Sequence, residues 1–465
     1  MPSRAVVWFR RDLRVADHPA LLAALDAADQ VVPVFVVDRT LLGGRPSGPN
    51  RRAFLHGALQ ALADELGSLG GRLLTLQGDP VELLPALARE VAADAVYCSR
   101  EHTPYARGRD TAVERALRPD GRALHALPGS YLSDFNELRN TAGDPFRVYS
   151  PFARAAKAAA WDDPLAAPAR VPVPDDLAPA GAALDGFDLA GAVEATPPDP
   201  AAALERLRWF VDRRVDRYAR ARNFMATDGT SRLSPYLHFG LVSPRQVAAA
   251  VTGGDGETFI NELLWRDFYA YLLYHRPESA WEHTRPEFAW FEFEDDPEGL
   301  AAWRAGRTGY PLVDAGMRQL TGEGWVHNRA RMVVASFLTK HLLVDWREGA
   351  RFFLQHLVDG DLASNNGGWQ WVAGSGIDAA PYYRIFNPVT QAERFDPDGD
   401  YIRRWVPELA ELGPPAIFAP WRADPADLEV AGIRLGADYP HPIVDHTTAR
   451  NRALSRFQEA AARRR

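Results

Sequence analysis

The sequence predicts an α/β domain built on a parallel, Rossmann-like sheet, followed by an all-helical domain. Three observations carry that reading. Over residues 1–130, short apolar runs alternate with amphipathic Ala/Leu-rich stretches, the pattern of strands wrapped by helices. From about Trp161 to Pro200 the composition turns to Pro, Ala, Asp and Gly with little periodicity, which marks a long surface connection. Beyond it no second strand–helix alternation appears. The boundaries expected are 1–130 for the α/β domain, 131–200 for the linker and 201–465 for the helical domain.

In chain order, Ala5–Phe9, Val31–Val37, Arg72–Leu76, Ala95–Cys98 and Ala123–Ala126 read as buried strands, being short and apolar. Between them Pro19–Ala28, Arg52–Leu66, Pro80–Val91 and Ala106–Leu117 read as helices. In the second half the helices expected are Ala201–Ala221, Glu257–His275, Leu300–Arg304, Val313–Gly322, Asn328–Leu343, Ala350–Asp359 and Ala449–Arg463, with loops at Asp359–Asn366 and Asp378–Asp400.

At 465 residues the chain is long enough for two or three domains with filled cores. Its hydrophobic content of 46% and charged content of 25% are those of a soluble globular protein. No apolar run approaches the ~18 residues of a membrane span and no signal-peptide profile opens the chain, so a cytoplasmic protein is expected. Cys98 is the single cysteine, which excludes an internal disulfide and a thiolate metal cluster. A net charge of −8 means that any nucleic-acid partner must meet a local positive face, for which 53 basic residues leave room.

Ten of the thirteen tryptophans lie between Trp265 and Trp421, two of them closing the run Asn365–Trp371. An indole needs a large cavity and a partner for its N–H, so the clustering points to rings that stack on bases or a flavin, or that pass electrons. In Phe259–Tyr269, the pairs Glu262/Arg266 and Trp265/Tyr269 each share a helix face; alone, they read more simply as an ion pair beside a packed aromatic stripe. Asn328 and Met332 are one helical turn apart, with Arg329 and Arg331 flanking; alone, they read as an N-cap and core filler. Asp359-Gly360-Asp361 lacks the longer ligand series of a calcium loop, so acceptance of hydrogen bonds from a ligand or Arg331 is expected and no metal. Thr230-Ser231-Arg232-Leu233-Ser234, followed by Pro235, offers hydroxyls and N–H groups near a helix start, either a phosphate cradle or plain capping. No nucleophile elbow, Cys/His pair, histidine metal spacing or Gly-x-Gly-x-x-Gly turn occurs, which sets hydrolytic and nicotinamide chemistry aside.

Together, and in this order, the motifs are specific. The chain resembles the DNA photolyase/cryptochrome family over essentially its whole length, and within it the class I cyclobutane pyrimidine dimer (CPD) photolyases. The blocks that carry the resemblance are Val7–Arg14, Asp228–Leu237, Thr308–Ala315, Asn365–Trp371 and Arg384–Pro388. The family implies FAD held in the helical domain, active as FADH⁻. Matched by motif, Tyr218, Thr230, Ser231, Leu233 and Ser234, with Arg232 among them, would hold its phosphates. Phe259 would contact it, Asp359 and Asp361 around Gly360 would meet its isoalloxazine and adenosine ends, and Arg331 would pair with Asp359. Asn365 would face flavin N5.

The resemblance further implies UV-damaged DNA as partner, with a pyrimidine dimer flipped from the duplex. Trp265 and Trp371 would stack on the dimer, Glu262 and Asn328 would bond its base edges, and Met332 would pack on a pyrimidine ring. Arg222, Arg329 and Arg384, with Arg266 and Tyr269 beside them, are the expected DNA contacts. Excited FADH⁻ would donate an electron, the cyclobutane ring would split, and the electron would return. Members repairing (6-4) photoproducts carry histidines where Asn328 and Met332 stand, and plant cryptochromes carry Asp where Asn365 stands. CPD repair is therefore the expected function, by a monomer. A cryptochrome-type blue-light receptor, (6-4) repair and a flavoprotein electron carrier are the alternatives.

Two departures matter. Of the family's three photoreduction tryptophans, Trp369 and Trp346 match the proximal and middle ones, but the distal position holds Phe293. Phenylalanine resists oxidation, so impaired flavin photoreduction, or a detour through Trp290 or a tyrosine, is expected. In Thr103–Ala106 the glutamate of the folate-binding type is absent, so an 8-hydroxy-5-deazaflavin antenna is favoured over methenyltetrahydrofolate.

Overall fold

The computed structural model describes residues 2–42, 47–177, 187–193, 195–251, 253–378 and 384–463. Five strands form one sheet: β1 Arg4–Phe9, β2 Gln30–Val37, β3 Leu74–Gln77, β4 Ala95–Ser99 and β5 Ala123–Leu127. The order is β3-β2-β1-β4-β5 with every pair parallel, Val7 lying opposite Pro33 on one side and Tyr97 on the other. β1 and β2 are buried from their second residue on, because helices cover both faces of a parallel sheet. β5 departs from the expected buried strand. It is an edge strand, and Ala123 and His125 are exposed.

The connecting helices Pro19–Ala27, Pro49–Ser68, Pro80–Glu90 and Pro104–Leu117 each open with proline, whose fixed φ and missing N–H suit a first turn. Strand order reverses beside β1, so the carboxyl ends of β1 and β4 are its switch point. A buried charge knot fills that place. Arg10 meets Asp110 at 2.7 Å, Arg109 meets Glu101 at 2.6 Å, and both guanidinium groups lie over the Trp8 ring.

Contacts divide the chain into two compact units. The first comprises Met1–Asp216, Ser231–Pro277 and Val358–Ala363; the second comprises Arg217–Thr230, Glu278–Leu357 and Ser364–Arg465. Beyond residue 200 the regular structure among the described residues is helical, apart from one isolated bridge between Leu435 and Tyr439. The second unit is built on one large apolar core in which Trp303, Val334, Phe337, Trp346 and Tyr439 are fully enclosed. No helix among the described residues is long and apolar enough to cross a membrane.

Several expected boundaries are corrected. The linker contains a helix, Tyr149–Ala158, which buries Phe152, Ala153 and Ala156 at helical spacing. The remainder of 161–200 lacks regular structure where described, and 178–186 and 194 lie outside the described residues. Ala201–Ala221 breaks at Arg213, resuming as the short helix Tyr218–Ala221. Asn328–Leu343 is α-helical only to Ser336, and Phe337–His341 is a π-turn. The expected loop Asp359–Asn366 is helical from Leu362, and Asp378–Asp400 contains the helix Pro388–Phe395, while 379–383 lie outside the described residues.

Candidate functional site

The motif Val7–Arg14 works through its arginines, all within the first unit. Arg11 reaches Asp361 at 2.7 Å, and Arg14 donates to the carbonyls of Asp17, Gly129 and Gly240. Gly240 must be glycine: its φ is +74° and a Cβ would lie 2.2 Å from the Arg11 carbonyl. Gly360 offers its carbonyl to Arg51 at 3.4 Å, and burial lowers Arg51 to about 10. The Asp359–Asp361 turn therefore meets two guanidinium groups, which is why its carboxylates can be buried.

On the helix Gly256–His275, Phe259, Leu263, Leu264 and Phe268 face inward, while Glu262, Trp265, Arg266 and Tyr269 are half-buried along the opposite side. Phe259 packs on Phe210 at 4.6 Å. Trp265 lies flat on Tyr149, ring centroids 3.8 Å apart at 6°, and Tyr149 donates its hydroxyl to the Asn261 carbonyl. Sequence reasoning missed Tyr149, although the spacing of Phe152, Ala153 and Ala156 signals its helix. The Arg266 guanidinium donates to the carbonyls of Ser130 and Leu237 and lies over Tyr131, which ties the first unit together.

Ser231–Ser234 leads into the helix Ser234–Phe239. The Ser231 hydroxyl accepts the Leu233 amide, the Ser231 carbonyl accepts Arg206, and Arg232 sits in the left-handed region at φ 51°. A non-glycine residue there costs free energy that the surrounding structure must offset, a common mark of a binding turn.

In the second unit, Gly229 lets the turn before Thr230 approach the Tyr218–Ala221 helix, since a Cβ would lie 2.7 Å from the Ala221 carbonyl. Asn328 is not the N-cap. His327 fills that role, its Nδ1 accepting the Arg329 amide at 3.0 Å, which leaves Asn328 exposed in the first turn. Met332, one turn on, is half-buried. Arg329 hydrogen-bonds the Asn223 side chain and lies 4.1 Å over the Phe395 ring. Burial first, then the charges of Arg222 and Arg394, lowers its pKa. Arg394, missed in the sequence, thus joins Arg222 and Arg329 in a cluster of three cations. Arg331 donates to the Val326 carbonyl.

Within the helix Leu362–Ala373, Asn366 bonds the Ala280 carbonyl and Gln370 the Ser279 carbonyl, two side chains four residues apart pinning one face. Asn365 and Trp369 share another face. The Asn365 amide nitrogen donates to the Ala350 carbonyl at 3.1 Å and to Asn366 at 2.9 Å, which fixes the amide and leaves its Oδ1 to accept. Trp369 is buried against Trp303, Phe353 and Gly349. Trp346 stands one turn before Gly349, fully buried, with its Nε1 donating to His283 at 3.3 Å. Trp371 is half-buried.

A family model for DNA photolyase matches residues 5–172, and one for the FAD-binding domain of DNA photolyase matches 259–459. A deoxyribodipyrimidine photo-lyase of Agrobacterium fabrum is 41% identical, covering 97% of both chains. The chain belongs to the DNA photolyase family. The likeness of this photolyase relative extends to solved structures. The crystal structure of a class III photolyase from Agrobacterium tumefaciens superposes with a TM-score of 0.94 at 40% identity, covering 99% of this chain and 98% of the other. A Synechocystis cryptochrome superposes at 0.90 with 31% identity, covering 98% and 99%. The fold is thus shared by proteins named photolyase and cryptochrome, and side chains must discriminate. The residues fit FAD: a strained Ser/Thr turn at a helix start, buried carboxylates with arginine partners, and a fixed amide acceptor.

Proposed function

We propose that this chain repairs cyclobutane pyrimidine dimers in DNA, as a monomer, using light. The single observation that carries the reading is the fixed Asn365 amide. With its nitrogen spent on Ala350, only Oδ1 is offered, which matches the protonated N5 of reduced flavin and favours the state that repair needs. When bound, the reduced flavin would supply the light-driven electron that dimer splitting needs.

The chain's own residues do the rest. The Ser231–Ser234 turn holds phosphates, as do Thr230 and Tyr218, and Asp359 and Asp361 hold the polar edges of the cofactor. Trp265, already braced by Tyr149, presents its remaining surface to the dimer, and Trp371 does the same. Glu262 and Asn328 hydrogen-bond the base edges and Met332 packs on a ring. Arg222, Arg329, Arg394 and Arg384 bind phosphates, relieving the repulsion among the first three. A deazaflavin-type antenna accompanies this reading. Its support is the sequence Thr103-Pro104-Tyr105-Ala106, which holds no carboxylate.

The test is recovery of absorbance near 260 nm in UV-irradiated oligothymidine with chemically reduced protein, under blue light and in the dark. Light-dependent recovery is expected. No recovery with reduced FAD bound would turn the assignment to the cryptochrome reading.

A further inference from the structure

We infer that Lys340 is a positioning residue for Arg384, holding the loop from which that arginine meets DNA phosphate and tightening its hold when DNA binds. The inference rests on the DNA reading above. Lys340 lies in the π-turn Phe337–His341 and is 2% exposed, yet its Nζ donates to the Arg384 carbonyl. One turn earlier Ser336, fully buried, accepts the Phe386 amide at 3.2 Å. Between these anchors Ile385 packs on a cluster of Phe288, Phe291 and the C-terminal helix His446–Arg463. Asn387 then caps the helix Pro388–Phe395 through the Val389 amide. Every residue of Arg384–Asn387 is thus fixed, while Arg384 itself is exposed.

π-turns are commonly retained where a side chain serves a function, and this one places an ammonium where an apolar chain would avoid the cost of desolvation. What the amine adds is sensitivity to charge. Burial first, and then the Arg384 guanidinium, lowers Lys340 to about 7. Adjacent His341 is pushed down to about 3 by burial and by His446, so it stays neutral across the physiological range. Arg452, on the C-terminal helix, donates to the His341 carbonyl, and it too lowers His341. A phosphate paired with Arg384 cancels the repulsion that Lys340 feels. The bound state therefore holds the Lys340 proton more tightly than the free state. Affinity is then greatest below the free-state value and falls as pH rises above it.

The test is binding of the FAD-loaded full chain to a short duplex carrying one thymine dimer, from about pH 6 to 9, by fluorescence anisotropy. Wild-type affinity is expected to weaken about three- to tenfold across this range, within the tenfold per pH unit that one proton allows. Lys340→Met should bind about fivefold more weakly at the acid end with the pH dependence lost, a linkage effect that simple loosening would not produce. Arg384→Ala should lower affinity and reduce the salt slope by about 1. If Arg384→Ala changes neither, the DNA reading of Arg384 fails. If Arg384→Ala weakens binding but Lys340→Met keeps the wild-type pH profile, the Lys340 inference is overturned. Should Lys340→Met lose FAD or fold poorly, Lys340→Arg decides: pH-independent tight binding supports the inference, and a retained wild-type profile overturns it.

Discussion

Phe293, at the distal position of the expected relay, packs against the cluster of Phe288, Phe291 and Leu343. The C-terminal helix covers its segment, with Phe457 on Phe288 and Arg456 paired to Glu292 and Glu294 at 2.9 Å. Phe293 is half-buried, and phenylalanine resists oxidation, so it offers no relay for a hole. Trp281 is better placed: half-buried, and stacked on Trp346 at 6.5 Å and 11°. Arg351 lies over Trp281, but Glu348 pairs with it at 2.7 Å and offsets its charge. Trp281→Phe is therefore expected to slow photoreduction of oxidised FAD by about tenfold, a barrier change of about 1.4 kcal/mol. Trp290→Phe should leave it unchanged, and transient absorption reads both. A second residue-scale prediction concerns Asp267. Burial outweighs its hydrogen bond from the Ser133 amide and raises its carboxyl to about 7. The folded state then binds more protons than the unfolded state between the ordinary carboxyl value and about 7, so Asp267 costs stability progressively as pH rises through that window. Asp267→Asn keeps the acceptor without the charge. Its denaturation midpoint should exceed wild type by a margin that grows from about pH 4 to 7 and then levels. A constant margin would refute this account.

At the scale of elements, the helices Trp346–His356 and Leu362–Ala373 are joined at one glycine. A Cβ on Gly349 would lie 2.1 Å from the Trp369 ring and 2.7 Å from Leu338, both buried, so neither can yield cheaply. Gly349→Ala is expected to destabilise the protein by about 1–3 kcal/mol and to shift Trp369 fluorescence, as measured by denaturant titration. The end of the expected loop Asp359–Asn366, with Gly367 and Gly368 after it, has weak helix propensity. It is helical because Asn366 and Gln370 bond the backbone at Ala280 and Ser279, far away in sequence. Tertiary partners can override weak propensity in this way. The opposite case is Pro19–Ala27 and its neighbours, where capping residue, proline and apolar period agree locally, so the sequence sufficed.

Across the whole molecule, a net charge of −8 opposes DNA except where cations gather. The cluster Arg222, Arg329 and Arg394 should therefore dominate the salt dependence. Alanine at each is expected to reduce the slope of log affinity against log salt by about 1, and an unchanged slope at all three would place the DNA face elsewhere. Fold class and family were legible in the sequence because strand and helix periods report local burial, and motif order survives whatever the loops do. The strands β1, β2 and β4 needed only their own apolar runs. What the tertiary structure alone decided is which atom each side chain spends. Tyr149 covers one face of Trp265, Ser130 and Leu237 anchor Arg266, Ala350 orients Asn365, and Arg394 joins Arg329. The physical reason is the same each time: a hydrogen bond or ring contact is set by distances of a few ångströms between residues distant in the chain, and no local period encodes them.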